Sequence, residues 1–194
     1  MEIRKMSKAE LEQHERNQHA PDYLAWLADT ESALATFFTE DAPEIAALED
    51  PWSREGLRLL GENMRARFGE LPEQDPYAER DVTDRYRRYL GEVYCSTIES
   101  QWHNVPDNGP GDPMWPVLTV PFQMLYLDPC DQLYGAFVKS TKKRTVHPDG
   151  MIAWVFGNLK EEYEDWVSAG KPDLESWEQL HTERALSEYK DSDL

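Results

Sequence analysis

Residues 81–127 read DVTDRYRRYLGEVYCSTIESQWHNVPDNGPGDPMWPVLTVPFQMLYL. The first half has a helical period and the second loses it. Val82, Tyr86, Tyr89 or Leu90, Val93 and Ile98 recur at intervals that bring side chains onto one face of an α-helix starting near Asp81. Gly91 lies inside that helix at a cost of about 1 kcal/mol against Ala, a cost accepted where another backbone packs close. Beyond Ser100, Gln101–Val105 predicts a short strand. Pro106–Pro116 contains Asp-Asn-Gly, Gly-Pro and Gly-Asp, which predict a loop. Val117–Leu127, rich in Val, Thr, Phe and Tyr, predicts a strand. Asp128-Pro129 then reads as a turn, and Leu133–Val138 as a second strand antiparallel to the first.

Helices flank this segment on both sides. Pro21-Asp22 opens an amphipathic stretch with Leu24, Leu27, Leu34 and Phe38 at helical spacing and Tyr23, Trp26 and Phe37 widening the stripe, until Pro43 ends or kinks it. Ser53 is placed to cap a helix carrying Leu57, Leu60, Met64 and Phe68, with Gly69 as its stop. Downstream, Asp149-Gly150 opens a helix with Ile152, Val155, Phe156, Leu159, Tyr163, Trp166 and Val167 on one stripe and Glu161, Glu162, Glu164 and Asp165 on the other face, stopped at Gly170-Lys171-Pro172. Trp26, Trp154 and Trp166 are expected in the core. A last helix is expected over Asp173–Glu188. The order of helices, small sheet, then helices favours α+β over α/β, because strands and helices do not alternate. The fold expected is mainly helical, with a small antiparallel sheet between N-terminal and C-terminal helices. The chain divides into a polar arm or helix over 1–20, a single α+β domain over 21–188 and a loose tail over 189–194.

Composition removes several functions. The 194 residues carry 20 Lys+Arg against 38 Asp+Glu, a net charge of −18. Phosphate contacts dominate nucleic-acid affinity, so this charge argues against DNA and RNA, and likewise against anionic membrane surfaces. No apolar run approaches the roughly 20 residues of a membrane span. The charged start, Met1–Lys8, has no apolar stretch behind it and predicts no secretion signal. Cys95 and Cys130 form no disulfide framework and read as reduced, inert thiols. The expectation is a soluble cytoplasmic protein, with a basic protein as the partner that such a charge attracts.

Catalytic signatures are missing from the sequence. It holds no phosphate loop, no dinucleotide fingerprint, no Gly-x-Ser-x-Gly, no His-Glu-x-x-His and no Cys-x-x-Cys. No cofactor, no metal site and no catalytic residue is expected. Two charge features remain. Residues 17–53 hold eight acids and no Lys or Arg. Within that window Asp41, Glu44, Glu49 and Asp50 are candidates to meet a basic partner, with Trp52 or Trp115 as an apolar anchor, since tryptophans dominate binding hot spots. Lys139, Lys142, Lys143 and Arg144 form a basic cluster. Together with His103 and the Pro106–Pro116 loop, they define an alternative: a pocket for an anionic small ligand, in a binding protein or an enzyme.

Arg88-Tyr89-Leu90-Gly91-Glu92, followed ten residues later by Trp102, resembles a pattern in small uncharacterised actinobacterial proteins. There a Leu-Gly-Glu helix leads into a short strand bearing a Trp, and Pro-rich β segments and an amphipathic helix follow. The resemblance covers about residues 80–167. Some acidic proteins of this size look like immunity proteins that neutralise secreted toxins. The resemblance implies an acidic binding module of immunity or antitoxin type, brings no catalytic residue with it, and implies packing roles for Tyr89, Leu90 and Gly91.

Overall fold

A computed structural model describes residues 7–70, 80–106, 114–138 and 147–192, with 184–192 described by their backbone alone. The architecture is mainly helical α+β, with one small antiparallel sheet. Ser7 caps α1 (Lys8–Gln18) through a reciprocal capping box with Glu10. Then come α2 (Pro21–Ala28), α3 (Thr30–Thr36), a π-helical turn over Phe37–Asp41, α4 (Pro43–Ala46) and α5 (Arg54–Phe68). Ser53 caps α5 by accepting from the Gly56 N–H at 3.3 Å, and Gly69 ends it at φ 85°. Helix α6 spans Arg80–Ile98.

The sheet has strand order β1 (Gln101–Asn104), β2 (Pro116–Thr119), β3 (Tyr126–Leu127), with Trp102 opposite Leu118 and Leu118 opposite Leu127. The long strand read over Val117–Leu127 is therefore broken. Pro121 has no N–H to give a ladder. The chain turns there and delivers Phe122 to Tyr163 and Trp166, with ring centroids 6.0 and 6.1 Å away. The strand read over Leu133–Val138 is corrected outright: α7 (Pro129–Leu133) and a 3-10 turn (Tyr134–Phe137) occupy it. Asp128, read as part of a turn, is the N-cap of α7 and accepts from the Cys130 N–H at 2.8 Å, while Pro129 supplies a first helical residue that needs no donor. Helix α8 runs over Met151–Ser168, and α9 over Leu174–Ser192, past Glu188.

Helix α6 is the axis of the molecule. Tyr86, Tyr89, Leu90, Val93, Tyr94 and Ile98 are fully enclosed, packed by Phe37, Leu57, Leu60, Leu118 and Phe156 from the surrounding elements. Each such apolar side chain contributes about 1.5–3 kcal/mol relative to exposure. Burial extends beyond one stripe, to Arg87 and Arg88. Asp84 answers both from one and one-and-a-bit turns earlier: its Oδ2 accepts from Arg88 Nε at 2.6 Å, and its Oδ1 pairs with Arg87 Nη2. Trp26 Nε1 also donates to Asp84, at 2.9 Å, and Arg88 lies 4.1 Å above the Trp26 ring while donating to the Trp26 carbonyl and to Thr30. Burial pushes the Asp84 carboxyl up. Arg87, Arg88 and Trp26 together outweigh burial and hold it below the usual carboxylate range. This cluster fastens α2 and α3 to α6.

Gly91 makes the other junction of α6. A Cβ there would lie 1.9 Å from Trp102 Cζ2 and 2.3 Å from Cη2. The close neighbour is thus the β1 indole and not a second backbone. The stripe on α2 and α3 is also shifted from its sequence reading. Tyr23, Trp26, Ala33 and Phe37 are buried, whereas Leu24 is exposed. Trp26 and Trp166 lie in the core, but Trp154 is 39% exposed, on the opposite side of α8 from Ile152 and Phe156.

Candidate partner-binding cleft

The turn between α4 and α5 is set by short-range hydrogen bonds. Asp50 Oδ1 accepts from the Trp52 N–H at 3.0 Å, and the Asp50 carbonyl accepts from Ser53 Oγ at 2.7 Å. From beneath, the Tyr89 hydroxyl donates to the Pro51 carbonyl at 2.5 Å. Gly56 leaves room for that bond, since a Cβ there would sit 2.3 Å from both the Pro51 oxygen and Tyr89 Oη. Trp52 meets Phe38 edge-to-face (5.5 Å, 88°) and Tyr89 at a tilt (5.7 Å, 30°), so its half-buried indole is fixed in place.

This corner forms one wall of a cleft of about 460 Å³. The opposite wall is α8, which presents Phe156, Gly157, Lys160, Glu161 and Glu164, and Thr97 of α6 closes the end. The cations in the cleft are already paired. Arg54 binds Asp149 at 2.9 Å and lies against Gly157, and Lys160 binds Glu164 at 3.6 Å. Glu55 is taken by Arg58, whose hydrogen bond holds the Glu55 carboxyl below its ordinary range. Among the described residues, Glu49, Asp50 and Glu161 have no cation within ion-pair distance, and Glu49 and Glu161 are exposed. The cleft thus joins an immobilised indole to carboxylates whose charge is uncompensated, a combination suited to a cationic side chain on an apolar stem.

The sequence-derived candidates separate into different places. Asp50 and Trp52 line the cleft, and Glu49 precedes them in the chain. Asp41 does not face solvent: its side chain is 3% exposed and accepts from Arg85 Nε at 2.5 Å and Nη2 at 3.0 Å, with Arg67 at 3.4 Å. The π-helical turn swings it inward. Glu44 is exposed and accepts from Asn63 Nδ2 at 2.6 Å; the same amide donates to the Asp41 carbonyl. Trp115 is half-buried and braces the sheet. Its N–H donates to Asn104 Oδ1 at 2.9 Å and its indole Nε1 to Asp128 Oδ2 at 2.7 Å. His103 stacks on His14 of α1. Lys139, Lys142, Lys143 and Arg144 lie outside the described residues, as does most of the Pro106–Pro116 loop.

Sequence reasoning missed Gly157, Lys160, Glu161 and Glu164 as cleft residues. Their spacing of three, four and seven from Gly157 places them on one helical face, a signal present in the sequence. Cys130 is buried and its Sγ accepts from Arg87 Nη1 at 3.8 Å, and burial, with Glu92 nearby, pushes the Cys95 thiol up to about 12. No group of three or more metal-ligating side chains occurs among the described residues, and no helix there is long and apolar enough to cross a membrane. Comparison of the chain with protein-family models, with curated proteins and with solved structures gave no match.

Proposed function

We propose that the chain is an acidic protein-binding module that masks a basic partner in the cytoplasm, an immunity or antitoxin-type protein. One observation carries this reading: two separate acidic segments, the base-free corner at Asp50–Trp52 and the polar face of α8, converge on one cleft lined by the Trp52 indole. A Lys or Arg of the partner enters between Asp50 and Glu161 and lays its stem on Trp52. The surrounding charge steers the encounter and the indole slows release. The remaining charge of the chain adds a long-range field of the same sign.

The test compares the native chain with the double reversal Glu49→Lys, Glu161→Lys. Both side chains are exposed, so the fold is retained. Each protein is immobilised and exposed at low salt to a lysate of its own source, then eluted with a salt gradient. A basic protein retained by the native chain and lost from the reversed one supports the reading. Equal retention by both, or retention of nothing, contradicts it.

A further inference from the structure

We propose that His14 and His103 form a pH-sensitive latch that holds α1 over the open edge of β1. The sheet order leaves β1 at an edge, where unpaired backbone groups invite pairing with another chain. Helix α1 covers that edge without apolar burial, because none of its residues is buried. It is held instead by polar contacts that imitate a neighbouring strand. Gln18 Nε2 donates to the Asn104 carbonyl at 2.9 Å, and Gln18 Oε1 accepts from the Asn104 N–H at 2.9 Å. Asn104 Nδ2 also donates to the Asn17 carbonyl at 3.1 Å. One turn earlier in α1, His14 stacks on His103 with ring centroids 5.7 Å apart and planes 18° from parallel.

Two neutral imidazoles stack favourably, whereas two imidazolium ions at that separation repel. His103 Nδ1 is enclosed and has no hydrogen-bond partner among the described residues, so a proton added there gains no acceptor. Other charged groups on the packed elements are occupied or remote. On α1, Glu10 closes the capping box, Glu12 pairs with Lys8, Glu15 with His19, and Arg16 with Gln13. On α6, Glu92 accepts from Trp102 Nε1, and on α2 Asp22 is exposed. Beta strand β1 has no further titratable group. Burial first, and His14 second, hold His103 below the ordinary histidine range. A base with a lowered pKa in the docked state leaves docking intact above its free value of about 6.5 and weakens docking as pH falls below that value. Carboxylates, with ordinary values of about 4, stay mostly ionised down to pH 5.5, so titration over this range falls mainly on the imidazoles.

Hydrogen–deuterium exchange of the full chain at pH 7.5 and pH 5.5, corrected for intrinsic exchange, tests this. Protection over residues 8–18 is expected to fall several-fold, up to about tenfold, at pH 5.5, while protection of α5 and α6 stays constant. His14→Gln is expected to lessen the acid loss without abolishing it, because burial still acts on His103. Gln18→Ala is expected to lose protection at both values, separating the hold from the switch. Unchanged protection of α1 across pH in the native chain, the same acid loss in His14→Gln, or retained protection in Gln18→Ala would each overturn the latch.

Discussion

Replacing Gly91 by Ala tests the junction between α6 and β1. Helix propensity alone favours the change by about 1 kcal/mol. Packing opposes it, because the new methyl would overlap the Trp102 ring at 1.9 and 2.3 Å. The indole has to leave its site. It then forfeits its Nε1 hydrogen bond to Glu92 (2.8 Å), about 1.5–3 kcal/mol for a charged acceptor. It also forfeits the edge-to-face contact with Trp26 (4.9 Å, 81°), about 0.5–1.5 kcal/mol. The net expectation is destabilisation of roughly 2 kcal/mol, or about 4–8 °C in Tm for a chain of this size. Gly61 on α5 is the control. A Cβ there meets only ordinary contacts, at 3.7 and 3.8 Å, so Gly61→Ala is expected to stabilise by about 0.5–1 kcal/mol. Urea unfolding followed by tryptophan fluorescence and far-UV circular dichroism measures both, with midpoints compared at constant slope. If Gly91→Ala stabilises as Gly61→Ala does, the Trp102 contact does not constrain that position and the reasoning fails.

Other outcomes follow from the buried groups. Asp84→Asn leaves two buried guanidinium groups without their carboxylate and is expected to cost about 3–5 kcal/mol at pH 7. Because the Asp84 carboxyl is held below its usual range, its contribution is full above about pH 4 and is lost as pH falls from there. Native and Asp84→Asn stabilities measured from pH 7 to pH 3 should therefore converge in acid, and parallel curves would refute the assignment. Cys95 and Cys130 should resist a disulfide reagent at pH 8 in the folded chain and titrate as two thiols in guanidinium; rapid native labelling of either would contradict the burial described.

The large helices were legible in the sequence because their signals are local. Ser53, Gly69, Gly150 and Gly170 bound α5 and α8, and the apolar periods of α5, α6 and α8 point at a core. The reading failed once against a local signal, and otherwise where tertiary contacts decide. Leu133–Val138 has strand-like composition, but Asp128 and Pro129 start a helix just before it. Asp41 belongs to the most acidic window of the chain, yet a π-helical turn carries it to Arg85. The spacing of Asp84, Arg87 and Arg88 was visible, but nothing local announces that α6 is surrounded and that these charges are buried. Half of the cleft was likewise visible. Asp50 and Trp52 emerged from charge patterning, whereas Glu161 and Glu164 looked like an ordinary solvated face until α5 and α8 came together.

The central claim is that the cleft recruits a basic partner through uncompensated carboxylates. Its most direct test is the association rate of the captured partner as a function of salt, for the native chain and for the Glu49→Lys, Glu161→Lys variant. For the native chain the rate should fall about tenfold or more between low and high salt, as steered encounters do. The variant should associate slowly at low salt with a visibly flatter dependence. Identical rates and identical salt dependence for the two proteins would contradict the claim and move the binding surface elsewhere.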